Sequence, residues 1–109
     1  MIANLSGTPS RLCQKAIGNT STTLYTSQPD GRTAILDVMV VNTTSSPINL
    51  TMYIGSVATA NAFGFYTTPV NAYSSVQWSG FQILNQSESL LAIGSAAGLT
   101  TTISGLERV

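Results

Sequence analysis

Few side chains in this sequence could perform acid–base, nucleophilic or metal chemistry. The chain contains no histidine, so it lacks the commonest general base and the commonest nitrogen ligand of metal ions. Its single cysteine, Cys13, therefore has no histidine to activate it as a nucleophile. The four carboxylates are scattered along the chain, at Asp30, Asp37, Glu88 and Glu107. These residues predict a protein that is not an enzyme and that binds no metal ion or cofactor.

Two other features could bind small ligands. The glycine-rich stretch from Gly94 to Gly98 is not followed by the lysine and hydroxyl residue of a phosphate-binding loop, so it predicts a turn. Exposed aromatic rings could stack on sugars, which leaves a carbohydrate-binding module as an alternative function. The same rings are typical of a protein core or interface. The aromatic residues in question are Tyr25, Phe63, Phe65, Tyr66, Tyr73, Trp78 and Phe81.

Charge is scarce and balanced. Charged residues make up 7% of the 109 residues, against roughly 25% in a typical protein. Four basic residues offset the four carboxylates, and no basic stretch could neutralise a run of phosphates, so we expect no nucleic-acid partner. A surface without long charged side chains loses little entropy on burial, and zero net charge removes repulsion between copies. We therefore expect a subunit that associates with other chains, including a homo-oligomer.

The sequence also predicts a cytoplasmic origin without a membrane partner. The first residues, Met1-Ile2-Ala3-Asn4, lack the basic and apolar regions of a signal peptide. No segment is long and apolar enough to cross a bilayer. A single cysteine cannot form an intrachain disulfide, which is typical of a chain that folds in a reducing cytoplasm. We expect Cys13 to be an inert thiol, with a contact or crosslink to another subunit as the alternative.

Residues 1–22 have no sustained period of two or of 3.6 residues, which predicts an extended N-terminal arm before a domain at 23–109. An extended segment of about 20 residues reaches about 65 Å, far enough to lie on a neighbouring subunit. Its candidate contact residues are Ile2, Leu5, Arg11, Leu12, Cys13 and Ile17.

From residue 23 onward, short runs of β-branched and aromatic residues alternate with turn residues, which predicts about eight strands. This pattern indicates an all-β fold, an antiparallel β-sandwich of the jelly-roll kind. A tight turn is expected at Gln28-Pro29-Asp30-Gly31. The expected strands are 24–26, 33–42, 48–55, 62–68, 73–78, 81–84, 89–95 and 99–106.

The strand at 33–42 is apolar on both faces. Strict alternation places Leu36, Val38 and Val40 on one face. The opposite face then carries Asp37 together with the second set of candidate contact residues, which are Ile35, Met39 and Val41. We expect this outer face to be covered by the arm or by another subunit.

Two groups of motifs occur in a characteristic order. The first comprises Thr-Leu-Tyr-Thr at 23–26, a Pro-x-Gly turn at 29–31, Arg-Thr-Ala at 32–34 and a hydrophobic strand that ends in Val-Asn-Thr at 41–43. The second comprises the stretch at 90–98, followed by Thr-Ile-Ser-Gly-Leu-Glu at 102–107. Together they resemble small β-sandwich virion proteins of tailed bacteriophages, over residues 23–109.

The resemblance implies a jelly roll that joins or covers other virion subunits. We therefore expect a capsid cement or decoration protein whose partners are the major capsid protein or other virion subunits, with the virion as its location. A tail, neck or baseplate adaptor is the alternative within the structural class. The motifs are structural and contain no catalytic residue, which agrees with the expectation from composition.

Overall fold

The computed structural model describes residues 9–108. Within that range the chain forms eight β-strands and one 3₁₀ turn at Thr59–Asn61. The strands are β1 (Ser10–Ile17), β2 (Thr22–Thr26), β3 (Arg32–Asn42), β4 (Ile48–Ile54), β5 (Thr68–Val70), β6 (Ser75–Leu84), β7 (Ser89–Gly94) and β8 (Leu99–Arg108).

The strands form two four-stranded sheets, in the orders β1-β8-β3-β6 and β2-β7-β4-β5. Each strand of the first half pairs antiparallel with its counterpart in the second half: β1 with β8, β2 with β7, β3 with β6 and β4 with β5. Such nesting is what results when one long hairpin is rolled so that its successive pairs fall in alternate sheets. The predicted all-β sandwich of about eight strands is confirmed, and its topology is that of a jelly roll.

The core lies between the inner faces of the two sheets. In β4, Ile48, Leu50 and Met52 are buried while Asn49 is exposed, because successive side chains of a strand point to opposite faces. The same alternation buries Leu90 and Ala92 of β7. Burial of each large aliphatic side chain contributes about 1.5–3 kcal/mol, which makes this layer the main source of stability.

Strands β1 and β3, on either side of β8, each have a β-bulge, and both bulges lie next to Ser104 of β8. Leu12 is the extra residue of β1, and Leu36 is the extra residue of β3. The bulge reverses the alternation on one side of Leu36, so Ile35 is fully buried in the core with Val38. The prediction that Ile35 lies on the outer face was therefore wrong. Gly105 of β8 lies between these bulges.

The sandwich begins earlier than predicted. Ser10–Ile17 is strand β1, whose Ile17 is buried in the core, so the boundary between residues 22 and 23 was wrong. Residues 1–8 of the predicted arm lie outside the described residues. An edge strand with bulges shows no clean two-residue period, and this irregularity explains why β1 has the sequence pattern of an arm.

Two further strand predictions were wrong. Residues 62–68 form a loop with a single bridge between Ala62 and Tyr53, and β5 begins only at Thr68. The strands expected at 73–78 and 81–84 are one strand, β6, which continues through Gly80. The predicted turn after β2 is confirmed, since the Gly31 N–H donates to the Gln28 carbonyl oxygen over 3.3 Å.

Replacement of Gly105 by alanine should destabilise the fold. A Cβ atom there would collide with the Ala34 carbonyl oxygen and lie 2.9 Å from Cδ1 of Leu12. Overpacking of this kind costs about 1–3 kcal/mol, and urea unfolding measures the loss. Gly18→Ala is the matched control, because a Cβ at Gly18 meets no atom within 4 Å. Equal stabilities of Gly105→Ala and Gly18→Ala would contradict the packing described for β8.

Candidate interaction surface

Charged residues are divided unequally between the two sheets. Strands β2, β7, β4 and β5 contain no charged residue, and we call their sheet the uncharged sheet. Every charged residue that lies in a strand belongs to the β1-β8-β3-β6 sheet, which we call the charged sheet; these residues are Arg11, Lys15, Arg32, Asp37, Glu107 and Arg108. The centre of one face of the sandwich can thus be desolvated without the removal of a strand's own charge from water. At the edge of this face the Lys15 ammonium group donates to the Thr23 carbonyl oxygen of β2 over 2.8 Å.

The outer face of the uncharged sheet has an apolar centre. Leu91 and Ile93 of β7 alternate with buried residues and are only partly covered. Leu91 pairs with Tyr53 of β4, and Ile93 pairs with Thr51. Asn49 and Thr51 extend this face with uncharged polar groups. Apolar side chains surrounded by uncharged polar ones are typical of the central part of a protein–protein interface.

A shallow groove runs along this outer face. Its volume is about 210 Å³, and its lining residues are Asn49, Thr51, Thr67, Ile93, Gly94 and Ser95. Small-molecule sites usually measure about 300–1,000 Å³ and carry convergent charged or aromatic groups. The groove is smaller than this range, and no charged or aromatic residue lines it. Its size and composition therefore favour contact with another protein surface.

The loop that borders the groove is held in an unusual conformation. Thr67 has a φ of 46°, which is rare for a β-branched residue. Its N–H donates to Oγ1 of Thr51 over 2.9 Å, and this bond fixes the loop against the sheet. The loop at the border of the groove is therefore held in position by Thr51, a residue of the outer face.

The outer face of the charged sheet carries one satisfied carboxylate. Asp37 accepts hydrogen bonds from Nε2 of Gln77 at 2.5 Å and from Oγ of Ser79 at 2.9 Å. Met39 is half-buried beside them, and Val41 is 36% exposed. Both lie on the outer face where the sequence places them. Their role as contact residues stays a prediction, and it competes with a docking role of the uncharged sheet.

The other predicted contact residues are not brought together. Ile17 and Ile35 are core residues, so neither side chain can reach another subunit in this fold. Leu12 packs partly against the core, whereas Arg11 is exposed. Ile2 and Leu5, the remaining two residues of the predicted arm, lie outside the described residues.

Cys13 is poorly placed for a crosslink. It is 9% exposed and belongs to the core cluster. Burial raises the pKa of its thiol, an effect that Lys15 partly offsets. Since the thiolate is the reactive form, both the position and the protonation of Cys13 favour the inert role.

A polar cluster joins the two sheets at one end. The Tyr25 hydroxyl of β2 donates to the Glu107 carboxylate of β8 and accepts from Oγ1 of Thr33. Thr33 also shares a hydrogen bond of 3.0 Å with Ser27. Burial, together with the bond to Glu107, raises the pKa of Tyr25 to about 12. The cluster ties the sheets together and offers no unpaired group for catalysis.

Comparison with known proteins finds a protein with a similar fold but does not identify the function. No protein-family model and no curated protein matches the sequence. A solved chain from Bacillus endospore appendages, described as a novel family of disulfide-linked pili, has a similar fold. Its TM-score is 0.55 at 14% identity, and the alignment covers 94% of this chain and 87% of that one. Since the identity is so low, the similarity shows a shared fold alone.

A chain from the structure of the infectious bursal disease virus Gx strain is also similar, with a TM-score of 0.47 and 11% identity. The match covers 94% of this chain but 31% of the viral one, so this chain spans about a third of that chain's length. Within residues 9–108, no helix is long and apolar enough to cross a membrane. The same residues contain no cluster of His, Cys, Asp and Glu side chains that could hold a metal ion.

The charge-free composition of one sheet is visible in the sequence, since residues 22–26, 48–54, 68–70 and 89–94 all lack charge. What the sequence does not show is that these separate segments are neighbours. That follows only from the strand order, which depends on long-range pairing. The uncharged sheet was therefore missed as a candidate surface.

Removal of the Tyr25 hydroxyl should alter the dependence of stability on pH. The pKa of Tyr25 is raised from its ordinary value of 10.0 to about 12. The protonated Tyr25 hydroxyl therefore contributes fully to the free energy of unfolding below pH 10, and this contribution disappears as the pH rises to about 12. Between these values the free energy of unfolding should fall less in Tyr25→Phe than in the wild type, measured by urea unfolding.

Tyr73→Phe is the control for this experiment, because Tyr73 is 73% exposed in a loop. It should follow the wild type. Identical falls in the wild type and in Tyr25→Phe would contradict the raised pKa, and with it the burial and hydrogen bonding described for the Tyr25 hydroxyl.

Proposed function

We propose that this chain is a structural virion protein of a tailed bacteriophage, a capsid cement protein that binds and stabilises the junctions between capsomers. The observation that carries the proposal is the uncharged sheet, which presents Leu91, Ile93 and Tyr53 on its outer face without a charge on any of its strands. This is the face that lies against the major capsid protein or a neighbouring virion subunit.

Physical chemistry favours this face over the charged sheet. An interface centre depleted of charge avoids the desolvation cost of several kcal/mol for each buried unpaired ion. Threonine and asparagine side chains around Leu91 and Ile93 provide hydrogen bonds with little loss of side-chain entropy. An interface of about 1,600 Å² is usual for specific association, and its repetition over a shell multiplies the stabilisation.

The fold supports a role in assembly without specifying one. Jelly rolls form capsid domains of viruses, and the similar Bacillus chain belongs to pili. Those pili are described as disulfide-linked. The same linkage is not proposed for this chain, because its one cysteine is buried in the core.

A tail, neck or baseplate adaptor is the alternative position in the virion. The number of copies per particle separates the two, because a shell protein repeats with the capsid lattice whereas a tail protein repeats with the symmetry of a ring. Quantitative mass spectrometry of purified particles, with the major capsid protein as the internal standard, gives this number. A copy number equal to that of the subunits in a single ring, rather than one proportional to the number of major capsid proteins, would overturn the cement proposal.

Ile93→Lys should abolish binding to particles. Ile93 is only partly buried in the free protein, so the long lysine side chain can bring its ammonium group to water and the variant should fold. Against a partner surface the charge would be buried without a counterion, and we expect at least a tenfold loss of affinity, since about 1.4 kcal/mol is sufficient for that change. Cosedimentation with particles purified from the same source, stripped of this protein, measures the loss.

Thr102→Lys is the matched control. It places the same charge on a position that is likewise only partly buried, at the centre of the charged sheet, and it should bind as the wild type does. Unimpaired binding of a correctly folded Ile93→Lys, or equal losses in both variants, would contradict the proposed role of the uncharged sheet.

A further inference from the structure

The four edge strands of the sandwich differ in how well they are protected from pairing with another chain. Strand β1 carries Arg11 and Lys15 and has a bulge at Leu12. Strand β2 has five residues with a bulge at Leu24, and β5 has three residues including Pro69. Charge, bulges, shortness and proline are all devices that block an edge. Strand β6 has ten residues without charge or proline, and its register shifts only between Ser79 and Gln82. Among the described strands, its regular part at Ser75–Ser79 is therefore the least protected edge.

The backbone of β6 presents regular hydrogen-bonding groups to the open side. The Asn42 N–H donates to the Ser74 carbonyl oxygen over 2.8 Å. Since bonding direction alternates along an antiparallel pair, the peptide groups of Val76 and Trp78 face β3. The intervening residues point their N–H and C=O groups to the open edge; they are Ser75, Gln77 and Ser79. The register to β3 is continuous from Ser75 to Ser79 and breaks only after Ser79.

We propose that β6 pairs antiparallel with β6 of a second copy of this chain, about a two-fold axis at Gln77. In this register Gln77 lies opposite its own counterpart, and Ser75 lies opposite Ser79 of the second copy. All three positions exchange backbone hydrogen bonds across the axis, because their groups face outward. The two charged sheets then form one continuous sheet across the dimer.

The chemistry of β6 selects a copy of itself as the occupant of this edge. A two-fold contact sets each residue against the same short segment, so any charge would meet a like charge nearby. Strand β6 has none, whereas β1 paired with itself would bring Arg11 and Lys15 towards their own copies. The proposed register also places Trp78 opposite Val76 of the second copy, an aromatic pair with a β-branched residue, which is among the favourable cross-strand pairs.

The Trp78 side chain is already held in place. Its ring meets Phe63 edge-on with centroids 4.7 Å apart. On the other side it lies so close to Gly80 that an added Cβ there would be 2.9 Å from Cζ2. Trp78 and Val76 are both half-buried and pack against the core cluster. The second copy therefore meets an ordered surface rather than a mobile side chain.

Cysteine substitutions test both the contact and its register. In Gln77→Cys the two new thiols face each other across the axis, with Cα atoms about 5.5 Å apart as in a hydrogen-bonded strand pair, within reach of a disulfide. In Ser75→Cys the equivalent residues lie about 13 Å apart, four residues along the strand, which is beyond reach. Under mild oxidation of the whole chain, non-reducing electrophoresis should show at least a tenfold excess of dimer for Gln77→Cys over Ser75→Cys.

A mixture of Ser75→Cys and Ser79→Cys provides the second measurement, since the proposed register sets these positions opposite each other. It should crosslink efficiently although neither variant does so alone, and it does not depend on the folding of Gln77→Cys. Far-ultraviolet circular dichroism identifies any variant that is unfolded. Absence of crosslinks in both experiments, or equal crosslinking of Gln77→Cys and Ser75→Cys, would overturn the proposal.

The proposed dimer does not depend on the uncharged sheet, which lies on the other side of the sandwich. Ile93→Lys should lose particle binding and keep the crosslink of Gln77→Cys when the two changes are combined. Failure of one proposal is therefore distinguishable from failure of the other.

Discussion

The structure depends on the packing of alternate apolar side chains between two sheets. Nested pairing gives each strand one inner face, and residues such as Val38, Leu50 and Leu90 are fully buried there. A buried polar residue closes one end of this layer. Nδ2 of Asn42 donates to the carbonyl oxygens of Ser46 and Val70 over 2.8 and 2.9 Å. Its Oδ1 accepts from the N–H of Thr44 over 2.9 Å. Among the described residues, no buried side-chain nitrogen or oxygen lacks a partner.

Once the core is formed from apolar residues, the few charges determine what the outer surfaces can do. They lie on the strands of one sheet and in turns, which leaves the strands of the opposite sheet without a charged residue. A face can then be covered by another subunit, and an edge can be extended by another strand. The first of these proposed contacts would depend on side chains and the second on backbone groups, so they are of different kinds.

Local patterns predicted much of the fold. The strict alternation at 48–55 predicted β4 to within one residue, and the Pro-Asp-Gly sequence predicted the turn after β2, because both depend on neighbouring residues. The inward position of Ile35 was not predictable, since the bulge at Leu36 appears only when β3 is paired with β8. The expected break between the strands at 73–78 and 81–84 was wrong, because glycine is typical of turns whereas pairing with the distant strand β3, on both sides of Gly80, makes the segment one strand. The uncharged sheet likewise required the strand order.

A density map of the intact particle at side-chain resolution tests most directly whether the uncharged sheet is the surface that binds other subunits. We expect Leu91 and Ile93 to lie under density of a neighbouring subunit while Asp37, on the opposite face, remains in contact with solvent. A map in which the outer face of the uncharged sheet is open to solvent at every copy would contradict it.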